Sequence, residues 1–111
     1  MNGETILIIE DDEKNTKLIR AILERENYTV ISASDAESGI DLARKNMPVL
    51  ILMDIQLPGT DGLEATSIIR DDPMLTNIPV IGVSAHAMEE DVLKAMKAGC
   101  CCYITKPIDI H

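Results

Sequence analysis

VLILMDIQLPGTDG, residues 49–62, is the stretch on which the fold turns. An apolar run, VLILM, ends on a single acid, Asp54, and gives way to Pro58, Gly59, Asp61 and Gly62, which is loop chemistry. A short, wholly apolar run of this kind suits a strand buried on both faces, with a polar residue delivered at its carboxyl end.

Working outward, the same kind of run recurs as TILIIE (5–10), YTVISA (28–33), PVIGVS (79–84) and CCYIT (101–105), which makes five strands. Longer stretches of helical period separate them. Leu18, Ile19, Ile22 and Leu23 fall at helix spacing and leave Lys14, Lys17, Arg20 and Glu24 for solvent. Ser34 with Glu37 forms a capping-box signature ahead of Ala36, Ile40 and Ala43, so a second helix is predicted to about Asn46, before Pro48. A third helix carries Leu63, Thr66 and Ile69 and is ended by DDP at 71–73. The fourth runs from about Met88 to Ala98, with Glu89, Glu90 and Asp91 at its start, Lys94 and Lys97 towards its end and Gly99 closing it.

Strands alternating with helices predict an α/β fold with a parallel sheet and right-handed crossovers, and for five strands the doubly wound, flavodoxin-like order 2-1-3-4-5. The whole chain, 1–111, is expected to be one domain. A fifth helix is missing after Pro107, so apolar sheet is expected to be exposed beside the first helix.

The composition bounds the function. Apolar residues make up 46% and charged residues 26%, a globular balance. A net charge of −9 opposes direct binding to nucleic acid or anionic lipid. The N-terminus has no basic n-region and no apolar run is long enough to span a bilayer, so a cytoplasmic location without membrane contact is expected. Cys100, Cys101 and Cys102 are consecutive, a spacing that suits neither a disulfide framework nor a C-x-x-C zinc site, and they read as small semi-apolar residues leading into a strand.

Polar residues gather at the carboxyl ends of the runs, where open α/β sheets bind ligands: Glu10, Asp11 and Asp12 after the first, Asp54 after the third, Ser84 after the fourth and Lys106 after the fifth. Taken singly, each is ordinary turn or surface chemistry; their joint occurrence at four strand ends is what carries weight. Carboxylates converging on one crevice repel one another unless a cation joins them. Mg²⁺, a hard ion often held by one or two carboxylates together with a phosphate, suits the set. Lys106 and Ser84 would steady the oxygens of a transferring phosphoryl group, and Asp54, alone at the end of a central strand, is the candidate nucleophile.

ILIIEDDEKN, LILMDIQLPGTDG, VIGVSAHAM and KAGCCCYITKPID closely resemble, in order and spacing, the signature segments of response-regulator receiver domains of two-component signalling. The resemblance implies Asp54 as phosphoacceptor, Glu10 and Asp11 as the metal-binding acidic pair with the Gln56 carbonyl completing the shell, Ser84 as switch hydroxyl and Lys106 as the phosphate-facing lysine. It also implies a switch role for Tyr103, rate tuning by Gln56 and His86, a cis bond before Pro107, and no role in the site for Asp12. The partners it implies are a histidine kinase or a histidine phosphotransfer protein, and a downstream protein target. The segments are similar to those of hybrid kinases and single-domain phosphorelay or cell-cycle regulators, so the expected role is a signalling switch rather than a turnover enzyme.

Two other readings are weaker. An aspartyl-phosphate phosphatase or phosphotransferase of the haloacid dehalogenase type usually carries a second acid two residues after its nucleophile, where this chain has Gln56. A flavin module would need a hydroxyl-rich loop after the first strand and stacking aromatics, whereas that loop is acidic and the chain has only Tyr28 and Tyr103.

Overall fold

Each apolar run forms a strand, trimmed at its ends: β1 (Thr5–Ile9), β2 (Thr29–Ala33), β3 (Leu50–Asp54), β4 (Val80–Ser84) and β5 (Cys102–Thr105). The intervening stretches form α1 (Glu13–Arg25), α2 (Ala36–Asn46), α3 (Gly62–Asp71) and α4 (Glu89–Ala98). The computed structural model describes residues 4–55, 62–84 and 89–105, with backbone alone at 89–91 and 105. All strand pairs are parallel, in the order β2-β1-β3-β4-β5, the predicted flavodoxin-like winding.

The apolar runs are continuous because both faces of the sheet are covered. Successive side chains alternate between two cores. Leu7, Ile9, Ile51, Met53 and Val80 pack with Ala36, Ile40 and Ala43 of α2, Ala65 and Ile69 of α3 and Ala95 of α4. On the opposite face Ile6, Ile8, Val30, Leu52 and Val83 pack with Ile19 of α1. Among the described residues, no helix is long and apolar enough to cross a membrane.

Three local expectations need correction. Helix α2 is capped by Asp35, not Ser34: the Asp35 carboxylate accepts from the Ser38 amide at 2.8 Å. The buried stripe of Ala36, Gly39, Ile40 and Ala43 sets the first turn at Ala36, which makes Asp35 the last extended residue. In α1 the stripe is centred on Ile19, which turns Leu18 outward to 45% exposure. The same rotation brings Arg20 inward, where its guanidinium donates to the Val30 carbonyl and the Ser32 hydroxyl and ties α1 to the edge strand β2. The exposed sheet expected beside α1 is narrower than its sequence suggests. Leu52 and Val83 are buried, whereas Leu50, Ile81 and Ile104 are partly covered and Cys102, which pairs with Ile81, is exposed.

The DDP stop at 71–73 leads into a packed segment. Leu75 and Ile78 are buried, and the Arg70 guanidinium donates to the Thr76 and Ile78 carbonyls. Gly99, at φ 119°, ends α4 in the left-handed region and lies against the aliphatic stem of Arg70.

Candidate functional site

The register of the sheet assembles the site. Ile9 pairs with Met53 and Asp54 pairs with Val83, so the residues leaving β1, β3 and β4 come level at one edge. Glu10 follows Ile9 directly, and its backbone amide continues the ladder by donating to the Ala33 carbonyl at 3.0 Å. Glu10, Asp54 and Ser84 are nearly inaccessible, at 4%, 3% and 1% exposure, whereas Asp11 is exposed.

Glu10, Asp11 and Asp54 each offer a carboxylate oxygen, and these oxygens all lie within 4.8 Å of one another. For two unit charges at that separation and an effective dielectric of about 20, repulsion is on the order of 3 kcal/mol. With two of the three acids buried, solvent relieves little of it. The donor set is all oxygen, with no thiol or imidazole, and so fits a hard divalent cation and not a soft one.

Asp12, the third acid of the run, is the N-cap of α1. Its carboxylate accepts from the Lys14 amide at 2.9 Å, while its own amide donates to Glu10 Oε2 at 3.1 Å. The cap therefore holds both the start of α1 and the Glu10 carboxylate. A cleft of about 400 Å³ opens from Glu10 and Asp11 along α1, past Thr16, Lys17 and Arg20 to Ser34, giving the acidic pair an approach from solvent.

Ser84 ends β4 and pairs across the ladder with Thr105 of β5. Tyr103, two residues earlier on β5, is half-buried against the core shared by α2, α3 and α4. Gln56, His86 and Lys106 lie outside the described residues, as do Pro107 and its peptide bond. One constraint on the site escaped the sequence reading. At the start of α3, a Cβ on Gly62 would stand 2.2 Å from the Asp54 carbonyl oxygen, and the Gly62 amide donates to the Ile55 carbonyl at 3.1 Å.

The sequence and the fold are both similar to those of known proteins. The family model for the response regulator receiver domain matches residues 6–111. The chain is 45% identical over 107 residues to the polar-differentiation response regulator DivK of Brucella anthropi, covering 96% of this chain and 87% of that protein. Among solved structures it resembles a response regulator from Chloroflexus aurantiacus at a TM-score of 0.92 and 26% identity, covering 97% and 88% of the two chains. It also resembles the receiver domain of a sensor histidine kinase from Pseudomonas aeruginosa, at a TM-score of 0.88 and 33% identity over 96% and 88% of the chains. That structure has magnesium coordinated in its active-site cleft.

Proposed function

Because this chain belongs to the response-regulator receiver family, we propose that it is a phosphorylation switch in which Asp54 accepts a phosphoryl group in a Mg²⁺-dependent reaction. The observation that carries this reading is the convergence of the Glu10, Asp11 and Asp54 oxygens within 4.8 Å at the carboxyl ends of β1 and β3. Glu10, Asp11, Asp54 and the Gln56 carbonyl would hold the ion. Bound there, Mg²⁺ supplies positive charge against the carboxylates and the incoming phosphoryl oxygens.

The remaining chemistry belongs to the chain. An Asp54 carboxylate oxygen attacks phosphorus in line as the bond from phosphorus to the donor's histidine nitrogen breaks, giving an aspartyl phosphate and a neutral histidine once that nitrogen takes a proton. Ser84, at the adjacent strand end, donates its hydroxyl to a phosphoryl oxygen, and Lys106 supplies an ammonium to another. Burial of Asp54 restricts competing water. Ser84 and Tyr103 lie on neighbouring strands, β4 and β5, so capture of the phosphoryl group by Ser84 would be felt at Tyr103 and on the surface beside it. The donor is a histidine kinase or a histidine phosphotransfer protein, and the output is contact with a downstream protein.

Intact-mass measurement after incubation with a small phosphodonor, with and without Mg²⁺, tests the reading on the parent chain and on Asp54→Asn. One phosphoryl adduct is expected on the parent, dependent on Mg²⁺ and absent from the variant. An adduct of equal yield on Asp54→Asn would assign the acceptor elsewhere.

A further inference from the structure

Glu10 is held from two sides. Its backbone amide donates to the Ala33 carbonyl at 3.0 Å, and its Oε2 accepts from the Asp12 amide at 3.1 Å. The first support belongs to the end of β2 and the second to the N-cap of α1. The placement of the Glu10 carboxylate therefore depends on how α1 and β2 sit relative to each other.

β2 is an edge strand, so a ladder fixes it on one side only. The Thr29 amide and the Ala33 carbonyl both bond towards the β1 side. Backbone polar groups alternate sides along a strand, so the Val30 carbonyl points to the open edge. There it accepts from Arg20 Nη1 at 2.9 Å, while the Ser32 hydroxyl accepts from Arg20 Nη2 at 2.9 Å. A planar guanidinium makes two such bonds at once, which an ammonium on a flexible stem does not reproduce. Arg20 also stands 3.8 Å from Glu24, but that pair is exposed enough to add little. The bonds to Val30 and Ser32 complete a circuit: from Glu10 through Asp12 to α1, through Arg20 to β2, and through Ala33 back to Glu10.

Resting on the reading of Glu10 as a magnesium ligand, we propose that Arg20 is a positioning residue for the metal site, acting through β2 and the Glu10 backbone. Arg20 lines the same cleft as Glu10 and Asp11, but a guanidinium offers no lone pair to a cation, so its contribution is geometric. Without the clamp, the end of β2 is tied on one side only and the Ala33 carbonyl loosens its hold on Glu10. The ion must then order Glu10 as it binds, and affinity falls by the cost of that ordering.

Mg²⁺ is the probe, titrated into the metal-free full chain by calorimetry, with hydrogen exchange of the Glu10 amide measured in chelator. Arg20→Lys keeps the charge and loses the two-pronged donor. Expected are faster exchange at Glu10 relative to Ile8 in the middle of β1, and a Mg²⁺ Kd raised about threefold or more. That is short of the roughly tenfold to hundredfold that follows loss of a ligand's own hydrogen-bond partner. Ser32→Ala, which leaves every charge in place, should move both readouts the same way by less, and it carries the test if Arg20→Lys does not fold. Leu23→Ala thins the core under α1 and spares the clamp, so it should lower stability in urea and leave the Kd unchanged. An unchanged Kd or an unchanged relative exchange rate in folded Arg20→Lys would overturn the proposal, as would an equal loss of affinity in Leu23→Ala. A parent that binds no Mg²⁺ would remove the proposal together with the metal reading of Glu10, an outcome told apart because the parent itself is then silent.

Discussion

Gly62 rests directly on the backbone of Asp54: a Cβ at position 62 would stand 2.2 Å from the Asp54 carbonyl oxygen and 2.6 Å from the Ile55 Cα. Both neighbours are backbone atoms of β3 and its extension, which cannot swing aside as a side-chain tip can. The first turn of α3 thus sets the position of the residue proposed to carry the phosphoryl group.

Gly62→Ala is accordingly expected to cost stability, although alanine is ordinarily the better helix former. Overpacking against backbone should cost about 1–3 kcal/mol. The yield of the phosphoryl adduct should fall in the same variant, because Asp54 must shift. Urea unfolding and the mass assay measure the two effects. Ser67→Ala, an exposed change on the same helix, should leave both unchanged.

The crowded carboxylates make a second expectation. Removing one charge by Asp54→Asn should stabilise the protein in chelator by about 1 kcal/mol, since mutual repulsion is relieved when no cation is present. The parent should gain stability with Mg²⁺ by mass action, about 2.7 kcal/mol at a hundred times Kd, and the variant should gain less. Thermal unfolding with and without Mg²⁺ decides it. Equal Mg²⁺ gains in the two proteins would remove Asp54 from the metal shell.

How far the sequence was legible follows from what each feature depends on. The five strands and their order could be read because burial on both faces leaves unbroken apolar runs, such as Ile6–Ile9 and Leu50–Met53, and because crossover handedness restricts the winding. The meeting of Glu10, Asp11 and Asp54 follows from that order, which makes β1 and β3 neighbours. Asp35 was missed as a cap because Ser34 offers an equally good local pattern, and only the buried stripe of α2 decides between them. Arg20, Leu75 and Ile78 were missed for a different reason: the inward turn of Arg20 and the burial of the other two come from tertiary contacts with no local period. The close approach of Gly62 to Asp54 is of the same tertiary kind.

Asp72 supplies a pH-dependent contact far from the site. Arg44 Nε donates to Asp72 Oδ2 at 2.9 Å, and the Met74 amide donates to Oδ1 at 2.8 Å. The Arg44 hydrogen bond first, then that of Met74, hold the Asp72 carboxyl below its ordinary value. Because the folded value is the lower one, the stability contributed is present above the unfolded carboxylate pKa and lost as pH falls through the folded value. Arg44→Gln should move the Asp72 titration upward by NMR. The stability difference from the parent should be present at neutral pH and vanish in strong acid.

The buried thiol of Cys100 gives the opposite slope at the other end of the pH scale. Burial above all pushes this thiol up, against the lowering effect of the Thr66 hydroxyl. As pH rises past the ordinary thiol range, the unfolded chain loses the Cys100 proton while the folded chain keeps it. The unfolded state then binds fewer protons, so unfolding free energy falls with increasing pH until the folded thiol also ionises. Cys100→Ala should therefore lose part of the alkaline decline in stability, at the cost of whatever packing the sulfur supplies against Thr66 and Gly82 at every pH. Urea unfolding of the two proteins from neutral to alkaline pH separates these effects, because packing shifts the whole curve while titration changes its slope. Parallel curves would show that the Cys100 thiol titrates alike in the folded and unfolded chains.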